Sequence, residues 1–148
     1  MTRTIHRLQV DAEIHLSADH DTLVVELRRT AIADFTLGLC LLKENLIEAL
    51  QLGTPNSRTT IEFRRGEANH RAEGRATKTG MALRLSDTEL SYWLRFFLKY
   101  VRDGTAEVDH LDVDLESADR ATPNMFVLKV PDAVAPLTPE EARKRLGL

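Results

Sequence analysis

Strict alternation near the N-terminus is the feature that most constrains the fold. Leu8, Val10, Ala12, Ile14 and Leu16 are apolar on one parity, while Gln9, Asp11, Glu13 and His15 are polar on the other. A period of two places the first set on one face of an extended strand and the second on the opposite face. The turn formers Ser17-Ala18-Asp19-His20-Asp21 follow, and alternation resumes at Leu23, Val25 and Leu27. The chain therefore opens on a β-hairpin with one buried face.

From Phe35 to Leu52 the period changes: Phe35, Leu39, Leu42, Leu46 and Leu50 recur at spacings of three and four, with Asp34 as N-cap and Gly53 and Pro55 as the stop. That spacing predicts a first helix over this whole stretch. Thr59, Ile61 and Phe63 return to alternation, and Arg65-Gly66 leads into a polar segment from Glu67 to Thr77 whose one face carries Ala68, His70, Ala72, Gly74 and Ala76. Small residues on a strand leave room for something to lie close against it. Lys78-Thr79-Gly80 reads as a hairpin loop before the strand Met81, Leu83, Leu85. Ser86 and Glu89 then form a capping box, with Leu85 and Leu90 as a hydrophobic staple, and Gly104 closes the second helix. Ala106 to Glu116 and Met125 to Val130 read as strands, and Thr138-Pro139-Glu140-Glu141 starts a short C-terminal helix.

These elements predict an α+β fold with a mainly antiparallel sheet and two main helices packed on one of its faces. The order strand, strand, helix, strand recurs, from Leu8 to Arg64 and from Glu67 to Glu116, which suggests a ββαβ pseudo-repeat. Residues 1–131 are expected to form a single domain, and 132–148 an extended connection with the terminal helix. A chain of 148 residues with 43% hydrophobic side chains buries roughly 70% of its unfolded surface, enough for one core without staples or metals. The uncharged run Phe35 to Leu42 is far short of the ~20 residues of a membrane span. The basic N-terminus Met1-Thr2-Arg3-Thr4-Ile5-His6-Arg7 has no apolar stretch behind it, so no secretory signal is read and a cytoplasmic location is expected. Cys40, the single cysteine, forms no internal disulfide and excludes multi-cysteine metal patterns; mid-helix, it reads as a small hydrophobe.

Three groupings could carry function. First, charge is polarised: Arg58, Arg64, Arg65, Arg71, Arg75, Lys78 and Arg84 face only Glu62, Glu67 and Glu73 in their segment, whereas Asp103 to Asp119 holds seven acidic residues and no basic one. Opposite charges on neighbouring strands can neutralise one another; alternatively the acidic strand, with Asp109, Asp112 and Asp114, faces a basic protein partner. Arg64, Arg65, Arg71 and Arg75 alone are a weak nucleic-acid signal in a chain of net charge -3 whose sheet is poor in aromatics, so nucleic acid is not expected. Second, five of the eight aromatic residues lie in helix two. Leu90, Trp93, Leu94, Phe97 and Val101 supply a core stripe there, leaving Tyr92, Phe96 and Tyr100 as a second stripe suited to a partner surface. Third, His110, Asp112, Asp114 and Glu116 alternate onto one strand face, where His110, Asp112 and Asp114 could act as acid-base groups or as weak metal ligands, although neighbours on one strand are too far apart to chelate tightly unaided. His15 and His20 around the first turn read as surface residues.

No phosphate loop, dinucleotide fingerprint, nucleophile elbow or zinc-protease helix occurs. The expected function is a small protein-binding module, homodimeric through its aromatic helix, with partner contacts at Tyr92, Phe96, Tyr100, Asp109, Asp112 and Asp114 and no cofactor. The alternative is a small-ligand or metal-dependent enzyme with a pocket between helix 86–103 and the sheet, using His110 and Asp112.

Overall fold

The structure, a computed structural model, describes residues 4–66, 71–117, 122–131 and 139–147. Two sheets hold the described strands. The larger has the order β1 (Ile5–Gln9), β4 (Ala49–Gly53), β5 (Thr60–Arg65), β7 (Gly80–Leu85), β6 (Glu73–Ala76), β9 (Glu116–Ser117). The smaller has β2 (Ala12–Leu16), β3 (Thr22–Leu27), β10 (Met125–Lys129), β8 (His110–Asp114). Helix α1 covers Ile32–Lys43, α2 Asp87–Asp103 and α3 Pro139–Arg145; the preceding connection 132–138 lies outside the described residues. None of the described helices is long and apolar enough to cross a membrane.

The alternating N-terminal segment is one pattern feeding two sheets. It bends at Val10 and Asp11, so β1 joins the larger sheet and β2 the smaller, while Val10 and Ala12 remain buried and Leu8 and Ile14 pack against the same core. Leu115 makes the corresponding bend between β8 and β9, again with its side chain buried. The sheets are thus linked by continuous chain at both edges, and their inner faces share one core with the helices. Trp93 touches both: its ring meets Phe63 of the larger sheet edge-on at 6.0 Å and stacks on Phe126 of the smaller at 5.9 Å.

The fold is α+β, but the sheets are mixed rather than mainly antiparallel. β1–β4, β5–β7, β6–β9 and β3–β10 are parallel, while β2–β3, β4–β5, β6–β7 and β8–β10 are antiparallel. A pseudo-repeat explains the mixture, its unit being ββαββ rather than the expected ββαβ, because β4 stands where helix was expected and β10 completes the second unit. One unit is β2-β3-α1-β4-β5 and the other β6-β7-α2-β8-β10, and each helix carries the chain from one sheet to the other. Each sheet therefore combines a hairpin from one unit with a hairpin from the other, and the junctions, β5–β7 and β3–β10, are parallel. Register agrees with this: Ile61 pairs with Met81 and Phe63 with Leu83, as Phe126 pairs with Leu23 and Leu128 with Val25. Buried positions agree too, Ile32, Phe35, Thr36, Leu39 and Leu42 on α1 having the spacing of Leu90, Trp93, Leu94, Phe97 and Tyr100 on α2. The helices run antiparallel, since Lys43 at the end of α1 meets Asp87 at the start of α2, and Arg29 before α1 lies beside Gly104 after α2.

The helix expected from Phe35 to Leu52 is shorter and begins earlier. A 3₁₀ turn, Arg29–Ala31, leads into α1, so Asp34 lies inside the first turn. The helix ends at Lys43 because Asn45 turns left-handed, with φ of 58°, and the Asn45 and Leu46 amides donate to the Leu42 and Leu41 carbonyls. Leu50 and Leu52 then reach the core by alternation in β4. At α2 the expected cap holds, the Ser86 hydroxyl accepting from the Glu89 amide at 3.2 Å, with Gly104 left-handed at φ 75°.

Candidate functional site

The aromatic stripe of α2 divides. Tyr100 is core, only 3% exposed, with its hydroxyl donating to the Pro131 carbonyl at 3.0 Å. Phe96 is half-buried with its ring edge-on to Phe97 at 5.3 Å, and Tyr92 is 58% exposed. Val101, assigned to the core stripe by spacing, is instead 51% exposed, as is Leu98. The stripe turned because Tyr100, rather than Val101, occupies the position equivalent to Leu42 of α1.

Two different ridges result on the outer side of the helix pair. Tyr92, Arg95, Lys99 and Arg102 follow one another at helical spacing along α2, with Leu98 and Val101 on the flank. The equivalent line on α1 is Asp34, Leu37, Leu41 and Glu44, in which Leu37 is 56% exposed and Leu41 half-buried. Leu46, just past α1, is also exposed. One ridge is apolar with acidic ends; the other is basic with apolar flanks, Lys99 pairing with Glu107 at 2.9 Å and Arg102 with Asp103 at 2.7 Å. Sequence reading missed Leu37, Leu98 and Val101 as surface residues because periodicity identifies a helix face without saying how wide an arc the neighbours cover. Cys40, on α1, is half-buried against the core.

The acidic strand lies in the smaller sheet and most of the basic segment in the larger, and where they meet, at β9 beside β6, the register sets Glu116 opposite Glu73, so that boundary joins like charges. On β8, His110, Asp112 and Asp114 are exposed on the outer face, opposite Lys129, Val127 and Met125 of β10. His110 Nδ1 is 2.6 Å from Asp109 Oδ1, a hydrogen bond that holds the Asp109 carboxyl below the usual range, and His110 Nε2 is 4.0 Å from Asp112 Oδ2. Asp114 is opposite Met125, and Glu116, expected on the same face, lies beyond the bend at Leu115 in β9 of the larger sheet. Among the described residues no group of three or more His, Cys, Asp or Glu side chains is placed to hold a metal ion. His15 sits on the outer face of the smaller sheet opposite Val24, and His20 occupies the first turn at φ 61°.

The small-residue strand lies against protein in its described part. A Cβ added to Gly74 would meet Leu115 Cδ1 at 3.0 Å and Thr122 Cγ2 at 3.4 Å, so these side chains fill the space that the glycine leaves. Ala68 and His70 lie outside the described residues. A cleft of about 540 Å³ instead opens on the outer face of the larger sheet, lined by Arg64, Glu73, Arg75, Ala82, Arg84 and Glu116.

No protein-family model, no curated protein and no solved structure matches this chain.

Proposed function

We propose that this protein is a non-catalytic protein-binding module that works as a homodimer through its helical layer. The observation that carries the reading is the concentration of exposed large apolar side chains there: Leu37, Leu46, Tyr92, Leu98 and Val101. Contiguous apolar surface on a small protein marks a contact region. The occupant is a second copy because the two ridges suit each other in charge. A two-fold interface is self-complementary, so α1 of one protomer would rest on α2 of its partner. Asp34 and Glu44 would then face Arg95, Lys99 and Arg102, with Leu37 and Leu41 against the apolar flanks of α2. Dimerisation through the helices leaves the outer face of the smaller sheet free, and its Asp109, Asp112 and Asp114 would meet a basic partner, raising the rate of encounter more than the final affinity.

Size-exclusion chromatography with light scattering tests the dimer. The expected result is a dimer at micromolar concentration, converted to monomer by L37E or L98E with unchanged circular dichroism. Reversing D34K and E44K should weaken association, and combining them with R95E and K99E should restore it. A monomer at about 100 μM would remove the reading.

A further inference from the structure

The second region with unexplained features is the outer face of the larger sheet, remote from the helical layer. Register sets four charged residues in a row across four adjacent strands. Arg64 of β5 is opposite Arg84 of β7, Arg84 is opposite Glu73 of β6, and Glu73 is opposite Glu116 of β9. Two like-charged pairs therefore stand side by side, positive at one end and negative at the other. Like charges directly opposite on paired strands destabilise a sheet.

Local pairing relieves only one of the four. Arg64 donates to Glu62 at 3.0 and 3.3 Å and to Glu48 at 3.3 Å. Among the described residues, Arg84, Glu73, Glu116 and neighbouring Arg75 form no ion pair, although all line the same cleft. The cleft has room for a small occupant. Ala82, opposite Glu62 of β5 and Arg75 of β6, leaves the floor low, and Gly66 makes room for the Arg84 stem, since a Cβ there would lie 2.9 Å from Arg84 Cγ. A second concavity of about 300 Å³, lined in part by Arg64, Arg65 and Arg84, adjoins the positive end.

We infer that this cleft binds a small dipolar ligand, its anionic group on Arg64 and Arg84 and its cationic group on Glu73 and Glu116. Strands are spaced by about 4.8 Å, so the centres of the two pairs are roughly 10 Å apart. An extended chain spans about 3.3–3.6 Å per residue, so a free tripeptide matches that separation. A guanidinium pair receives a carboxylate with short, charge-assisted hydrogen bonds, and paired carboxylates receive an ammonium in the same way. Occupation would give Arg84, Glu73 and Glu116 the counter-charges they lack among the described residues, Arg64 already being paired with Glu62 and Glu48.

Isothermal titration calorimetry on the full chain decides the matter, with trialanine, N-acetyl-trialanine and trialanine amide as probes. Trialanine should bind, and removing either terminal charge should weaken binding at least about tenfold, as expected for loss of a charged hydrogen-bonding group. R84Q should weaken trialanine to a similar extent, and the double variant E73Q/E116Q should abolish the preference for trialanine over its acetylated form. R58Q, outside the cleft, should leave binding unchanged. Absence of heat at millimolar trialanine, or equal affinity for all three peptides, would overturn the assignment. Undiminished binding of the acetylated peptide would also overturn it, by reducing the site to one for anions alone. The light-scattering test of the proposed dimer is independent of all these outcomes.

Discussion

At the scale of single residues, close approach and burial decide what each position tolerates. Gly80 begins β7 so near β5 that a Cβ would fall 2.0 Å from the Thr60 carbonyl oxygen, a backbone atom that cannot turn aside. G80A should therefore cost at least about 1–3 kcal/mol, the range for overpacking, read as a shift in the urea unfolding midpoint. Glu89, whose amide is bound by the Ser86 cap, carries a different cost. Burial raises its carboxyl pKa above the ordinary 4.5, an effect only partly opposed by hydrogen bonds from the Ala72 backbone and Ser86, and its Oε2 is buried without a partner. A carboxyl whose folded pKa is raised contributes stability below its unfolded pKa and loses it as pH rises through the folded value. Stability relative to E89Q should thus increase as pH falls from 7 toward 4.5, measured by urea unfolding of both proteins; a pH-independent difference would contradict it. The capping box was legible because its partners are three residues apart. The exposure of Val101 was not, because it depends on elements far along the chain.

At the scale of elements, the main correction concerns where α1 stops. Leu46 and Leu50 continue the spacing of Phe35, Leu39 and Leu42, so periodicity alone runs the helix to Leu52. Asn45 ends it by adopting a left-handed conformation, one that asparagine tolerates better than most residues. N45A should destabilise the protein by about 1–2 kcal/mol, and N45G should not, again by urea titration. Short apolar runs are ambiguous between helix and strand, and here pairing of Leu50 with Phe63 and Leu52 with Ile61 made the choice. The candidate surfaces share this limit. The exposed acids of β8 could be read from alternation, whereas the arginine pair could not, since Arg64 and Arg84 are neighbours only through the β5–β7 pairing.

At the scale of the whole molecule, the two units are interlocked. Each contributes a hairpin to both sheets, so neither half owns a complete sheet. Residues 1–66 expressed alone should lack a cooperative thermal transition, because β3 and β5 would lose their parallel partners β10 and β7. A folded, cooperative 1–66 would refute the interlocked description. Trp93 lies where the sheets meet α2, and W93A should cost about 3–5 kcal/mol while keeping one transition, checked by calorimetry. Two separated transitions would mean that the sheets unfold independently.

The sequence by itself determined the element types outside β4, the inward face of nearly every strand, the caps of α2 and the recurrence of the ββα order. Local chemistry and side-chain periodicity suffice for these, because a period of two or of 3.6 assigns each residue to a face. Only the tertiary structure decided which sheet each strand entered, the equal mixture of parallel and antiparallel ladders, and the row of like charges across β5, β7, β6 and β9. A period-two pattern specifies which side of a strand is buried but carries no information about its neighbour. The neighbour is chosen by the long-range closure of two bent strands and two crossing helices around one core.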